Sequence, residues 1–277
     1  LGVIKRLGLA IVFALAANTA MAEADVKVGP DVCIKCHKSE VGVWEGTKHF
    51  SSFKEIHKSS EAKAIVKAVG GKRMKKTEIC ATCHYSTTLK KGKAKITSGP
   101  SCESCHGNAT KWVNIHNDFG SAKNSAEEDP AHRKERMAKA AAAGMIIPSR
   151  LFDVASNCMS CHGLANPKLD GATAATMLEA GHPLKASFEL VEYSQGSVLH
   201  RFYPPTITEN KPLSDAEKSV VFVVGQAAAL VSATEAMSKT DHAKYVAAQK
   251  ERIAKATGVL SQIPEAADLL ANPTVAN

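Results

Sequence analysis

All eight cysteines of the chain occur in pairs of one spacing, and a histidine follows each pair directly. On one turn of helix, two thiols at positions i and i+3 can reach the two vinyl groups of one porphyrin, and a histidine at i+4 can reach its iron. This C-x-x-C-H pattern is the attachment signature of c-type haem. Four copies predict four covalently bound haems: Cys33-Ile-Lys-Cys36-His37, Cys80-Ala-Thr-Cys83-His84, Cys102-Glu-Ser-Cys105-His106 and Cys158-Met-Ser-Cys161-His162.

Other uses of a C-x-x-C pair compete with haem attachment. Structural disulfides, zinc ribbons and thioredoxin-like redox sites all use this pair, but none of them requires a histidine after the second cysteine. Histidine makes up 11 of 277 residues, so four chance coincidences have a probability on the order of 10⁻⁶. The pattern therefore favours haem c over these alternatives.

The ligand on the far side of each iron decides what a haem can do. An iron between two imidazoles carries electrons, whereas an iron with an open position can bind a substrate. Methionine is a possible ligand besides histidine. Two of the spare histidines, His132 and His242, lie in the first turns of predicted helices and are expected at the surface. The full set of candidates is His49, His57, His116, His132, His182, His200 and His242.

The N-terminal residues have the order of a secretory signal peptide. Lys5 and Arg6 precede an apolar run, and Ala20-Met21-Ala22 forms an A-x-A cleavage site. The run is shorter than the roughly 20 residues that a membrane span needs. We expect cleavage after Ala22, no membrane span in the mature chain, and a location in the periplasm or on the outer cell surface. No lipobox cysteine follows the signal, so no lipid anchor is expected.

The predicted mature chain has a basic balance. Without Lys5 and Arg6 it carries 33 basic and 27 acidic residues. Such a balance raises the question of a nucleic-acid partner. Export argues against one, and haem propionates supply negative charge that basic residues can surround. The expected partners are other cytochromes or a multihaem oxidoreductase, and the oligomeric state stays open.

Composition and motif spacing predict the fold class. The motifs are unevenly spaced, so no fixed-period repeat organises the chain. Aromatic residues are 5% of the sequence, and with roughly 64 residues per haem the porphyrin faces must supply much of the buried apolar surface. We predict a mainly α, loop-rich domain over residues 23–212 wrapped around four haems. Its helices include a segment from about 41 to 69 and one with Asp129 as N-cap, Pro130 first and Gly144 at its end.

The last part of the chain, residues 213–277, contains no cysteine. Ser214-Asp-Ala-Glu217 is a capping box that opens a helix, and a second helix is predicted from Asp241 to about Thr257. The apolar stretch 220–231 is too short to span a membrane and contains Gly225 and Gln226. We predict a C-terminal helical hairpin that packs on the haem domain.

Several segments of the chain, in their order, resemble the tetrahaem cytochrome c-554 family over about residues 32–203. This family is best known as the electron acceptor of hydroxylamine oxidoreductase in ammonia-oxidising bacteria. The segments that carry the resemblance are Trp44-Glu-Gly-Thr-Lys-His49 after the first motif, Cys102-Glu-Ser-Cys105-His106-Gly107 at the third, His116 ten residues beyond His106, and the stretch from Phe188 to His200.

The resemblance implies distal ligands for three irons: His116 for the first haem, His49 for the third and His200 for the fourth. The type member of the family leaves its second haem without a distal histidine, whereas this chain has Gly181-His182-Pro183. We expect His182 to bind the second iron. His57 is the reserve candidate, on the same predicted helix as His49.

These features favour a one-electron carrier over an enzyme. Iron held by two imidazoles changes oxidation state with little movement of its ligands and has no vacant site for chemistry. Two alternatives stay open. One is a haem enzyme whose five-coordinate iron reduces a small nitrogen compound such as nitric oxide, and the other is a subunit of an extracellular cytochrome filament.

The four motifs predict four haems per mature chain that stay attached on denaturation, because thioether bonds are covalent. A pyridine haemochrome assay on the purified protein measures the ratio, and a value below three per chain would contradict the assignment. Expression without the cytochrome c maturation machinery should give an unfolded polypeptide by circular dichroism, since the haems supply much of the core.

Overall fold

The computed structural model describes residues 26–202 and 208–277. The predicted signal peptide, residues 1–22, lies outside the described residues. The described chain is mainly α-helical and loop-rich, which confirms this part of the predicted fold class. Its helices are α1 (Pro30–Cys33), α2 (Lys38–Glu45), α3 (Lys48–Glu55), α4 (Ser60–Ala68), α5 (Glu78–His84), α6 (Cys102–His106), α7 (Val113–His116), α8 (Pro130–Ala142), α9 (Leu151–His162), α10 (Gly171–Glu179), α11 (Leu190–Glu192), α12 (Asp215–Ala236), α13 (Ala243–Leu260) and α14 (Ala267–Ala271).

Three short strands, β1 (Val26–Lys27), β2 (Ser86–Lys90) and β3 (Lys93–Ser98), form a small sheet. β1 lies parallel to β2, and β2 lies antiparallel to β3. Lys91 and Gly92 join β2 to β3 and both have positive φ, 54° and 72°. This conformation is typical of two-residue turns that match the twist of a hairpin.

A buried carboxylate and a close glycine contact hold the segment before the first motif. Glu103 is 3% exposed and accepts hydrogen bonds from the backbone N–H groups of Val28 (3.1 Å), Gly29 (2.7 Å) and Ala109 (2.8 Å). These bonds compensate the burial of the carboxylate. Gly29 has a φ of +87°, and a Cβ there would lie 2.7 Å from the methyl group of Thr88. The entry to the first motif is thus fixed by the hairpin and by the third motif.

The helical segment predicted from about 41 to 69 is divided into α2, α3 and α4. Thr47 caps α3 and Ser59 caps α4, each by accepting a hydrogen bond from a backbone N–H of the first turn. Such hydroxyls offer the backbone an alternative to a continuous helix. A 3₁₀ turn over Ile56–Lys58 follows α3. His57 therefore does not share a helix with His49, contrary to the prediction.

Two predicted helix starts are confirmed. Asp129 caps α8 by accepting hydrogen bonds from the N–H groups of Ala131 and His132, and Pro130 is its first residue. Ser214 and Glu217 form both hydrogen bonds of the capping box at the start of α12. The following helix, α13, starts at Ala243 and ends at Leu260, about three residues later at its C-terminal end than predicted.

Within the described residues, α12 is the one helix long and apolar enough to cross a membrane by length and composition. Its 22 residues extend well beyond the apolar stretch noted in the sequence. In the folded chain it packs against both α9 and α13. This burial is typical of a core helix, and its buried residues are Val221, Gly225, Ala228, Ala229, Leu230, Val231, Ala233 and Ala236.

Helix α13 supports the residues that follow the fourth motif. The Tyr245 hydroxyl donates to the carbonyl of Leu164 at 3.0 Å, and the Gln249 amide donates to the carbonyl of Gly163 at 2.9 Å. Both side chains are fully buried. A buried polar group without a hydrogen bond destabilises the folded chain. These two bonds therefore fix the position of α13 relative to the end of α9.

Replacing Leu260 with Ala should lower the free energy of unfolding by about 3 kcal/mol, because it leaves a cavity among buried side chains. Leu260 is 1% exposed and packs with Leu230 and Val231. Urea unfolding of the holoprotein followed by circular dichroism measures the change. Val220→Ala, at a 55% exposed position of α12, is the control and should change the free energy by less than about 1 kcal/mol.

Candidate haem-binding sites

Each C-x-x-C-H motif lies on a helical turn. The second, third and fourth motifs occupy the ends of α5, α6 and α9, with the histidine as the last helical residue. In the first motif α1 ends at Cys33, but the N–H groups of Cys36 and His37 still donate to the Cys33 carbonyl at 3.1 and 2.9 Å. Every motif therefore has the local geometry in which two thiols and one imidazole point to one side.

Every motif histidine faces one histidine from another part of the chain. Two imidazoles on opposite sides of one metal, with metal–nitrogen bonds of about 2 Å, have ring centroids about 6 Å apart. The four observed spacings match that value, so the pairs fit an iron between them. The pairs are His37 and His116 at 6.3 Å, and His84 with His182, His106 with His200, and His49 with His162, each at 6.1 Å.

The partners of two histidines differ from those that the family resemblance implied. His49 faces the fourth motif and not the third, and His200 faces the third and not the fourth. The implied pairing of these two residues is therefore wrong, whereas His116 faces the first motif and His182 the second, as expected. The third and fourth motifs adjoin in space, so sequence order does not decide which of them a distal histidine reaches.

Burial lowers the pKa of several of these histidines, which are therefore neutral at neutral pH. Desolvation, followed by the nearby imidazoles, lowers the pKa of His84 and of His162 to about 4. Desolvation also lowers the pKa of His49, His116 and His182 below the ordinary value. A neutral imidazole has a free ring nitrogen, which is the form that binds a metal.

In four of the histidines a backbone carbonyl lies at the Nδ1 atom. When Nδ1–H donates to that carbonyl, Nε2 is left free to bind metal and the ring is held in one orientation. Three of the four are spare histidines facing a motif, which is the arrangement expected of distal ligands. The contacts are His116 with Val113 at 2.7 Å, His182 with Pro183 at 2.9 Å, His200 with Val198 at 2.5 Å and His106 with Ile146 at 3.3 Å.

The cysteines show which motifs are neighbours. The thiols of Cys33 and Cys102 lie close enough for each to shift the pKa of the other, as do those of Cys83 and Cys161. The Asn157 amide in α9 donates to the carbonyls of Ser104 and Cys105 in the third motif, at 2.8 and 3.2 Å. The motifs therefore adjoin in the order first, third, fourth, second.

A buried ion pair supports the helix that carries His116. The Glu128 side chain is fully buried and Arg136 is 7% exposed, and their atoms approach to 2.6 and 2.7 Å. Arg136 also donates to the carbonyl of His116 and lies over the Phe119 ring. Sequence reasoning missed this pair because Glu128 precedes α8 and has no helical spacing to Arg136. Glu128 also bonds His132 at 2.7 Å, so His132 is half-buried and not a free surface residue.

The reserve candidates lie elsewhere. His57 and His242 are half-buried, and the Nδ1 atom of each is buried without a hydrogen-bond partner among residues 26–202 and 208–277. In that part of the chain neither ring contacts a motif histidine. The structure therefore brings His49, His116, His182 and His200 to the motifs and leaves His57 aside.

Comparison with known proteins finds similarity to c-type cytochromes. Residues 32–107 match the family model described as cytochrome c554 and c-prime. The cytochrome c-554 of Nitrosomonas europaea is 26% identical over 162 residues, which are 55% of this chain and 64% of that protein. These residues are similar to the cytochrome c-554 family. The predicted resemblance to this family is thereby confirmed, and it supports covalently bound haem c and electron transport.

The chain spans slightly less than two thirds of the length of this curated relative. No solved structure gives a significant match. The arrangement of the histidine pairs consequently rests on the structure of this chain itself.

The Glu128 carboxylate predicts an acid-dependent loss of stability. Hydrogen bonds from Arg136 hold the pKa of Glu128 at about 2, below its ordinary value. In an unfolded chain the pKa of a glutamate is about 4.3. A carboxylate whose pKa is lower in the folded chain stabilises the fold at pH values above about 4.3, and this stabilisation is lost as the pH falls through the pKa of the folded chain. The difference in unfolding free energy between wild type and Glu128→Gln should therefore be largest above about pH 5 and shrink toward pH 2.

Urea unfolding at several pH values measures this difference. Glu135→Gln is the matched control, because Glu135 pairs with Lys139 on the same helix but both side chains are exposed. Its difference from wild type should be smaller at every pH, since exposed ion pairs contribute little. Equal effects of the two substitutions would contradict the role of burial.

Proposed function

We propose that this chain is an exported c-type cytochrome with four haems that carries single electrons between redox partners. Similarity to the cytochrome c-554 family supports the general class of c-type electron carrier. The observation that carries the finer proposal is the set of four imidazole pairs at 6.1–6.3 Å, one at each motif. Four such sites match the four C-x-x-C-H motifs, and each has two strong-field ligands.

The proposed ligands follow from these pairs. The eight motif cysteines attach the haems, and His37, His84, His106 and His162 bind the irons on the proximal side. His116, His182, His200 and His49 bind the same four irons, in that order, on the distal side. When bound, each haem supplies a one-electron ferric/ferrous couple.

Closure of the second site favours a carrier over an enzyme. His182 faces His84 at the distance of the other three pairs, and the Pro183 carbonyl at its Nδ1 orients the ring. An imidazole in this position occupies the coordination site that a substrate such as nitric oxide would need. The reductase alternative therefore loses the feature on which it depended.

The order of neighbouring motifs suits transfer through the protein. Adjacent cysteine pairs connect the first site to the third and the second to the fourth, and Asn157 connects the third to the fourth. The first and second sites are thus the two ends of one series. We propose that the chain wraps the four haems and that α12 and α13 form a hairpin packed against the fourth motif.

Location and partners complete the proposal. Cleavage after Ala22 would release the protein to the periplasm or the outer cell surface, where other cytochromes or a multihaem oxidoreductase can serve as partners. A filament subunit would need a spare histidine that reaches a neighbouring copy. The remaining histidines do not favour this, because His57 and His242 are half-buried and His132 bonds Glu128.

Replacing His182 with Ala should convert one haem of four to high spin, because water takes the vacated position on the second iron. Electron paramagnetic resonance of the oxidised protein should show four low-spin haems in the wild type and three in the variant. The variant should also bind cyanide readily. His57→Ala is the matched control and should keep all four low-spin signals. A wild type with one high-spin haem that His182→Ala leaves unchanged would instead favour the reductase function.

A further inference from the structure

The positive charge of the chain is concentrated in one region. Residues 48–95 contain 13 Lys and Arg residues against three Asp and Glu, whereas the rest of the chain contains 22 against 24. The basic balance noted in the sequence is therefore a property of this region and not of the surface as a whole. A field of one sign on one side of a protein steers charged partners toward it.

The β2–β3 hairpin presents the densest part of this charge. Residues 86–98 contain four lysines and no acidic residue, and the lysines are exposed. Lys90 and Lys93 lie directly opposite each other across the two strands. Like charges in that position destabilise a hairpin, so contacts within the hairpin do not account for them.

The backbone conformation of the residue at the hairpin tip is a second unfavourable feature of the hairpin. Lys91 has a φ of 54°, a conformation that glycine or asparagine adopts far more readily than lysine. Strained residues that persist at an exposed position point to function. The tip therefore keeps a charge where local conformation favours a neutral residue.

The tip lies beside the first motif. Lys90 Nζ is 3.0 Å from the carboxylate of Asp31, two residues before Cys33, and β2 pairs with the strand that leads into α1. Within the first motif Lys35 is exposed, and Ile34 is an exposed apolar side chain at 41%. We name Lys35, Lys38, Lys90, Lys91 and Lys93, all exposed, the basic tip surface.

Two other roles for these lysines fit less well. Lysines on an edge strand prevent sheet-to-sheet association, but Lys90 lies on the central strand and Lys91 in the turn. Lysines can also neutralise propionates. From Tyr85, beside the second motif, to Lys90 the extended chain covers about 17 Å, so the tip is separated from the residues that adjoin that motif.

We propose that the basic tip surface docks an acidic electron-transfer protein that exchanges electrons with the first haem site. This inference rests on the proposed function. The first site is one end of the series of four, and an exposed apolar side chain among lysines has the form of a protein interface with a charged rim. A haem held at the first site by Cys33, Cys36, His37 and His116 would supply the one-electron acceptor, and the reduced centre of the partner would supply the electron; no bond would form and no proton would move.

The test is the charge-reversed variant Lys91→Glu/Lys93→Glu of the holoprotein. The probe is a reduced plant-type ferredoxin, which serves as an acidic one-electron donor, and stopped-flow absorbance follows haem reduction. Its second-order rate constant should fall at least about tenfold at an ionic strength of about 0.01 M and approach the wild-type value near 1 M. Charge reversal keeps charged residues on β3, so protection of the strand edge is retained.

The matched control is Lys134→Glu/Lys250→Glu, which makes the same change in net charge at exposed positions of α8 and α13. Its rate constant should fall less than about threefold. Equal losses in the two variants would overturn the proposal, because net charge alone would then explain the effect. Binding to phosphatidylserine vesicles that only the tip variant loses, with an unchanged ferredoxin rate, would assign the surface to a membrane and overturn it too. Dithionite should reduce four haems in every variant, and failure there would instead contradict the proposed carrier function.

Discussion

The bridge from imidazole through iron to imidazole is the interaction on which the proposed holoprotein depends. Each pair joins residues that are 79 to 113 positions apart in the chain. Such a bridge closes a long loop and removes much of the freedom of the unfolded chain. Aromatic side chains are scarce and many elements are only one or two helical turns long. In the proposed holoprotein the order of the fold would therefore come from the cofactor sites as much as from side-chain packing.

The distal histidines need support from outside their own ring. The Arg136 guanidinium bonds the His116 carbonyl while its charge is balanced by Glu128. His182 and His200 have backbone carbonyls at Nδ1. These contacts fix ring orientation, and the orientation and basicity of axial ligands are among the means by which a protein adjusts a haem. Most of these contacts involve main-chain carbonyl oxygens, so substituting the side chain of the residue that carries the carbonyl leaves the contacting atom in place.

Features that depend on neighbours within four residues could be predicted from the sequence. The C-x-x-C-H turns and the caps at Asp129 and Ser214 are of this kind. The division of the helical segment after the first motif was also encoded locally, in the hydroxyls of Thr47 and Ser59. The partners of His49 and His200 could not be read in this way. They depend on the packing of α6 against α9. Asn157 of α9 bonds α6 across this contact, and no periodic pattern in the sequence indicates that bond.

The anchoring of the first motif has a consequence for the order of biosynthesis. The strand before it pairs with β2, and its backbone N–H groups bond Glu103. A ribosome or a translocation channel delivers the N-terminal residues first, so Cys33 and Cys36 emerge well before the residues that hold them. Non-local contacts of this kind form late. We therefore expect the first pair of thiols to stay in an open segment, accessible for attachment of the proposed haem, until the residues that hold it have emerged.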